Sequence, residues 1–209
     1  MKALLATKIG MTQIYDANGR LLPVTVLQAG PCVVTQIKTV EHDGYKATQI
    51  GFGDAKKLGK SIAGHLKASG ANSKHLVEIR TTEVEKNESE EAMKVGDTLT
   101  VEMFEAGEKV SVSATSKGKG FAGTIKRHNF HRGPKTHGSQ NYRAPGSIGA
   151  GYPQHVMKGI KMAGRMGHDK VTVKNLKVAT IDAAQNLIAV TGAVPGPNKG
   201  LVVIKGLTV

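Results

Sequence analysis

The chain has a single cysteine, no tryptophan and only 4% aromatic residues. A lone Cys32 excludes an intramolecular disulfide framework and a cysteine-based zinc cluster; its ordinary role is that of a small buried apolar side chain. With so few aromatics, the core has to be built from Val, Ile, Leu and Ala, and an apolar fraction of 39% over 209 residues can supply one. No stretch reaches the run of about 18 apolar residues that a membrane span requires. The opening MKALLATKIGMTQIY is short and is interrupted by Lys8, so no secretory signal is expected and a cytosolic setting follows.

The most informative absence is of one charge sign. Residues 109–168 contain no Asp or Glu, yet they carry 11 Lys or Arg; the other 149 residues carry 18 basic and 16 acidic side chains. At the chain's average acid content such a gap arises by chance in roughly one of a hundred placements, and a solvated face normally mixes both signs. The net charge of +13 therefore belongs mostly to one window. Its partner is polyanionic: nucleic acid or an acidic membrane surface.

The same window lacks the material of a core. Gly and Pro recur from Gly133-Pro134 through Pro145-Gly146 to Gly167, and no apolar period persists. Such a segment cannot offset its ordering entropy by apolar burial, so it is expected to be extended or disordered until a polyanion organises it. Its residue types suit that partner. Lys and Arg neutralise phosphates, glycine lets backbone N–H groups approach phosphate oxygens, and His and Tyr stack on bases.

The flanking sequence reads as β. Gln13-Ile-Tyr15 and the strand at 21–27 bracket Asn18-Gly19, a hairpin signal. Further strands are expected at 32–38, 45–52 (after a turn at His42-Asp-Gly44), 109–115, 170–178, 187–191 and 201–205. Six or more short strands at this spacing suggest a small closed barrel. A short helix is expected over 55–69, weakened by Gly59 and Gly64, and the acidic stretch 81–93 reads as a surface loop or frayed helix. The organisation predicted is a discontinuous β domain, 1–115 with 169–209, interrupted by a basic extension at 116–168.

The extension opens on SKGKGFAGTIKRHNFHRG, which contains a literal G-x-G-x-x-G at Gly118 to Gly123. A dinucleotide turn needs a βαβ unit and an acid about 20 residues on; Arg143 stands there, and no carboxylate appears before Asp169. No Gly-Lys-Ser/Thr closes a P-loop. What survives is a bend out of a strand and a short basic helix over 121–127. His128, His131 and His137 lack an acidic or thiolate partner in a cationic segment, a poor setting for a divalent ion, and no acid orients a catalytic base. A DNA-compacting architectural protein or a nucleotide-using enzyme would need a regular groove-binding element or a coherent acid/base set, and neither is present.

These residues also carry a resemblance. TSKGKGFAGTIKRH (115–128), with Phe104 upstream, resembles the signature of the universal L-three family of large-subunit ribosomal proteins, in its bacterial form. KIGMTQIY (8–15), THGS (136–139), RAPGSIG (143–149) and KMAGRMG (161–167) are similar to other motifs of that family, in the same order along the chain. Ser111 stands where the family signature usually has Asp or Asn, Tyr142 where a His is common, and the stretch 150–157 is about one residue short.

The resemblance implies a mainly β fold with some α: a translation-protein-type six-stranded β-barrel interrupted by a long, irregular basic extension. It implies a non-enzymatic constituent of the large ribosomal subunit, in the cytoplasm, that binds large-subunit ribosomal RNA, nucleates early assembly and contacts neighbouring large-subunit proteins. The expected RNA contacts are Lys117, Lys119, Lys126, Arg127, His128, His131, Arg132, Lys135, His137, Arg143, Lys158, Lys161 and Arg165. The expected tip near the peptidyl transferase centre is Gly146, Ser147, Ile148, Gly149, Gly151, Tyr152, Pro153, Gln154 and His155. No cofactor, metal, membrane, small-molecule substrate or self-association is expected.

Overall fold

A computed structural model of the chain describes residues 2–16, 18–80 and 93–207. The acidic stretch therefore lies, all but Met93, outside the described residues. The chain divides into two compact units: Met1–Thr115 with Lys170–Val209, and Ser116–Asp169.

Six strands of the first unit close into an antiparallel ring. They are β1 (Ala3–Tyr15), β2 (Leu21–Ala29), β7 (Lys109–Thr115), β10 (Lys170–Asp182), β11 (Leu187–Thr191) and β12 (Leu201–Gly206). Around the ring the order is β1-β12-β7-β10-β11-β2, and β2 pairs back onto β1. Period-2 alternation sets the faces. In β7, Val110, Val112 and Ala114 are buried while Lys109 and Thr115 are exposed and Ser111 and Ser113 half-buried. In β12, Val202 and Ile204 point inward. Each such Val or Ile contributes roughly 1.5–3 kcal/mol of burial.

A second sheet has the order β5-β4-β3-β6: β3 (Cys32–Lys38), β4 (Ala47–Asp54), β5 (Ser73–Arg80) and β6 (Thr98–Leu99). Sequence periodicity did not separate these strands from the ring. They matter to β1, whose first four residues, Ala3, Leu4, Leu5 and Ala6, are all fully buried. A strand covered on one face only would alternate. Here one continuous core cluster joins ring residues such as Leu27, Val112 and Ile204 to Cys32, Val34, Ile50 and Ile79 of the second sheet, so β1 is covered on both sides. The Leu5 amide donates to Cys32 Sγ at 3.4 Å across that junction.

Several local expectations shift. The first strand begins at Ala3, not Gln13, and β10 runs on to Asp182. The stretch His42-Asp-Gly44 closes a helical turn, α1 (Val40–Asp43), capped by Gly44 at φ +76°. The helix expected over 55–69 is only α2 (Lys60–Leu66), with Gly59 before it as N-cap, Gly64 inside it and Leu66 as its buried side chain. The hairpin turn at Asn18-Gly19 is present, with Gly19 at φ +72° and its amide donating to the Asp16 carbonyl.

Lys8 is a buried charge with a defined task. Its Nζ donates to the carbonyls of Val194 (2.6 Å) and Gly196 (3.2 Å), in the connection between β11 and β12. Its backbone accepts from the Lys199 amide and donates to the Gly200 carbonyl. Carbonyls that would otherwise be buried unsatisfied are thereby paired, which fixes the loop between two ring strands.

Candidate nucleic-acid interface

The Ser116–Asp169 unit begins as a two-stranded ribbon. The Ser116 amide donates to the Asp169 carbonyl (2.9 Å), the Asp169 amide to Ser116 Oγ (3.2 Å), the Lys119 amide to the Met166 carbonyl (2.9 Å) and the Met166 amide to the Gly120 carbonyl (3.0 Å). The ladder continues into β8 (Phe121–Ala122) against β9 (Gly164–Arg165), with Phe121 opposite Arg165 and Ala122 opposite Gly164. A short helix follows, α3 (Thr124–His128), ended by Asn129 in the left-handed region. The basic helix expected over 121–127 is thus a strand bridge followed by a helix three residues further on. Between His128 and Gly164 there is no strand or helix.

Glycine is a steric requirement at two places in this ribbon. Gly167 has φ +74°, and a Cβ there would collide with the Lys117 carbonyl oxygen and lie 3.2 Å from Gly118 Cα. A Cβ on Gly164 would lie 2.7 Å from Nη1 of Arg127 and 3.3 Å from its Cζ. That space is what lets the Arg127 guanidinium cross the ribbon and donate to the Met162 carbonyl (2.8 Å). The same carbonyl accepts from His128 Nε2 at 3.0 Å, which makes Nε2 the protonated ring nitrogen in this contact. One backbone oxygen therefore gathers Arg127 and His128 from 34–35 residues away. His128 also lies 6.0 Å from the Phe130 ring, tilted by 44°.

The remaining cations point outward. Lys117, Lys119, Lys126, Arg127, Arg132, Lys135, Arg143, Lys158, Lys161 and Arg165 are all exposed, as are His131 and His137; His128 is half-buried. None of the ten is ion-paired to a carboxylate among the described residues. Lys135 Nζ sits 5.9 Å from the centroid of Tyr142, and the Gly133 amide donates to the Tyr142 carbonyl (3.1 Å), so the 133–142 loop holds one cation over an aromatic face. Every residue from Arg143 to Ala163 is exposed. Ala122 and Thr124 are the buried side chains of this unit.

The tip residues are brought together as a Gly-rich, uncharged surface. Ile148, Gly149, Ala150, Gly151, Gln154, His155 and Val156 line an open recess of about 280 Å³. His155 Nδ1 donates to the Pro153 carbonyl (3.0 Å) and Ser147 Oγ to the Gly149 carbonyl (3.2 Å), so both polar groups are spent on local turns. Tyr152 is 85% exposed and Ile148 40%. Gly146 lies at φ +82° and Gln154 at φ +65°, both in the left-handed region. Among the described residues no group of His, Cys, Asp or Glu could hold a metal ion, and no helix is long and apolar enough to cross a membrane.

Sequence reasoning named the cations but missed their supports. Met162 acts through its backbone, which composition does not reveal. Gly164 and Gly167 were legible only as flexible residues; their close approach to Arg127 and Lys117 depends on ribbon pairing.

A six-stranded ring whose chain continues into a carboxylate-poor, cation-lined unit has the surface chemistry of a protein suited to a polyanion. The family described as Ribosomal protein L3 matches residues 38–187, and the chain belongs to that family. It is 54% identical over 206 residues to the Large ribosomal subunit protein uL3 of Heliobacterium modesticaldum, covering 98% of this chain and 96% of the relative. Its identity to the uL3 proteins of Herpetosiphon aurantiacus and Acidothermus cellulolyticus is 51% and 49%, covering 98% of this chain in each case and 95% and 92% of those relatives.

Proposed function

We propose that this protein is a structural, non-enzymatic constituent of the large ribosomal subunit, working in the cytoplasm, and that Ser116–Asp169 is its RNA-penetrating arm. The observation that carries this reading is the acid-free window. Ten exposed cations without carboxylate partners stand on a unit that buries almost nothing of its own. Left alone, that arrangement repels itself; against a phosphate backbone each cation releases a condensed counterion. The six-stranded ring is the translation-protein-type barrel, and it serves as the platform from which the arm leaves and to which it returns.

Within the arm the roles divide. Lys117, Lys119, Lys126, Arg127, His128, His131, Arg132, Lys135 and His137 form the root and neck, where phosphate contacts nucleate assembly. Arg143 before the tip and Lys158 after it anchor the tip to phosphates, and Lys161 and Arg165 lie on the returning chain. The tip carries no Lys or Arg from Pro145 to Val156 and fits a crowded RNA pocket by shape, near the peptidyl transferase centre. It performs no chemistry there, since His155 is held by a backbone carbonyl without an orienting carboxylate. Neighbouring large-subunit proteins contact the barrel.

The test is complementation in bacteria dependent on this protein. Replacing Lys119, Arg127 and Arg132 by Gln is expected to deplete assembled large subunits. Replacing Ser147, Tyr152 or Gln154 by Ala is expected to alter antibiotic susceptibility or accuracy while subunits still form. Tip variants that abolish assembly while root variants are silent would overturn the division. A protein that leaves the large-subunit peak in a moderate salt wash, without RNA crosslinks, would overturn the reading itself.

A further inference from the structure

The ring carries a second cationic surface that the sequence did not reveal. Strands β12, β7 and β10 are neighbours, and their registers put particular residues on one outer face. Lys177 stands directly opposite Lys109, Lys170 opposite Thr115, Thr172 opposite Ser113 and Lys205 opposite Ser111. On β7 and β12 the inner face is Val110, Val112, Ala114, Val202 and Ile204, all buried, so Lys109, Ser111, Ser113 and Lys205 face outward by alternation, the last three half-buried; on β10, Lys170, Thr172 and Lys177 are exposed. Between Val173 and Leu176 the β10 register shifts, with Asn175 in the left-handed region, and this bulge carries the exposed Lys174.

These three strands hold five lysines and one carboxylate, Asp182, which sits at the far end of β10 and accepts from the amides of Ala184 and Gln185. Glu108, next to Lys109, is occupied by Lys2 and the Glu105 amide. Lys38 is paired with Glu78 and Lys2 with Glu108, while Lys8 donates to loop carbonyls. Two lysines placed opposite each other across a strand pair destabilise the sheet. Edge protection does not account for them, because β7 and β10 each have a neighbour on both sides.

We infer that this face, centred on Lys109, Lys170, Lys177 and Lys205 with Ser111, Ser113 and Thr172, is a second RNA-backbone contact, on the ring and separate in the chain from the arm's cations. The inference rests on the function proposed above. Three strands about 4.8 Å apart and some seven residues long offer a patch of about 10 by 20 Å, wide enough for several phosphates. Side-chain hydroxyls supply the phosphate and sugar hydrogen bonds that fix register; Ser113 Oγ and Thr172 Oγ1 already share one at 2.7 Å. Continuity points the same way. The arm leaves the ring after Thr115 and returns before Lys170, and these two residues are paired at one end of the lysine face.

The test uses the full chain and a transcribed bacterial large-subunit ribosomal RNA, measuring affinity against salt and backbone protection from hydroxyl radicals. The quadruple variant Lys109→Gln, Lys170→Gln, Lys177→Gln and Lys205→Gln is expected to flatten the slope of log affinity on log salt by about 2–3 units. It is also expected to lose protection at an RNA segment that the root variant Lys119→Gln, Arg127→Gln retains. The single change Lys177→Glu separates binding from folding: opposite Lys109 it is expected to leave thermal stability equal or higher while affinity falls. A quadruple variant with wild-type slope and footprint, beside a weakened root variant, overturns this face alone. Loss of a protein neighbour with RNA binding intact overturns it too, in favour of an acidic protein partner. Wild-type protein that does not bind the RNA overturns both this face and the proposed function.

Discussion

Replacing Gly167 by Ala tests whether the arm's root is a built ribbon. Two costs meet at this residue. Its φ of +74° is left-handed, which costs an alanine about 1 kcal/mol. The new methyl would also collide with the Lys117 carbonyl oxygen and press on Gly118 Cα at 3.2 Å, and these are backbone atoms that cannot rotate away. Relief requires the two ribbon strands to separate, which loosens the Lys119–Met166 and Ser116–Asp169 hydrogen bonds; at about 0.5–1.5 kcal/mol each, these add about 2 kcal/mol. The sum, about 3 kcal/mol, corresponds to about a hundredfold faster amide exchange at Lys119 and Met166, if these exchange by local opening. Gly159→Ala is the control. Its φ is +87° but nothing lies within 4 Å, so only the conformational cost remains, and exchange is expected to rise severalfold at most. Amide exchange followed by NMR on the free protein reads both. Equal effects of the two substitutions would refute the argument from close approach, and undiminished protection in Gly167→Ala would refute the ribbon.

Lys8→Met keeps the apolar stem but strands the Val194 and Gly196 carbonyls; a loss of about 2–4 kcal/mol in urea unfolding is expected, and a loss below about 0.5 kcal/mol would contradict the buried staple. Gly164→Ala is expected to displace Arg127 from the Met162 carbonyl and to reduce ribosomal RNA affinity as Arg127→Gln does, measured by filter binding; unchanged affinity would count against a positioned guanidinium. Lys38 first, and the Tyr45 hydroxyl second, hold Glu78 below the usual carboxylate range. A depressed native value means fewer protons bound than in the unfolded chain, so its contribution is complete above the ordinary glutamate value of about 4.3 and fades as pH falls through the native value. Glu78→Gln is therefore expected to be slightly less stable than wild type near neutrality, Glu78 being exposed and Lys38 half-buried, and the gap to close in acid; a gap unchanged in acid would contradict the linkage. Burial, opposed by the backbone hydrogen bonds at Leu5 and Gly30, pushes the Cys32 thiol up to about 11. It should resist iodoacetamide in native protein and react once urea unfolds the chain; rapid native alkylation would place Cys32 outside the core.

The cations of the arm were legible in the sequence because they fold against nothing: a segment without carboxylates or an apolar period declares its chemistry by composition. Strands β7 and β12 were legible because each has one buried face, which imposes alternation, and β11 because its buried Ile188, Ala189 and Val190 form a short apolar run between turns. Ala3 to Ala6 gave no such signal, because both faces of β1 are covered, one by the ring and one by the second sheet. The helix expected over 55–69 is shorter, Lys60–Leu66: it starts only after Gly59, and Leu66 is its single buried side chain.

Other features exist only once distant segments pair. The Met162 carbonyl that gathers Arg127 and His128 is a backbone atom 34–35 residues away, invisible to any side-chain pattern. The need for glycine at 164 and 167 arises from the atoms that face them across the ribbon. The lysine face of the ring is the clearest case. Lys109 and Lys177 are 68 positions apart, and only the β7–β10 register, with its bulge, decides that they stand opposite each other. Sequence by itself determined the charge, the turn chemistry and the β character, since these are local sums over side chains. The tertiary structure decided which of those charges share a surface, because register and closure are properties of pairs of strands and not of either strand alone.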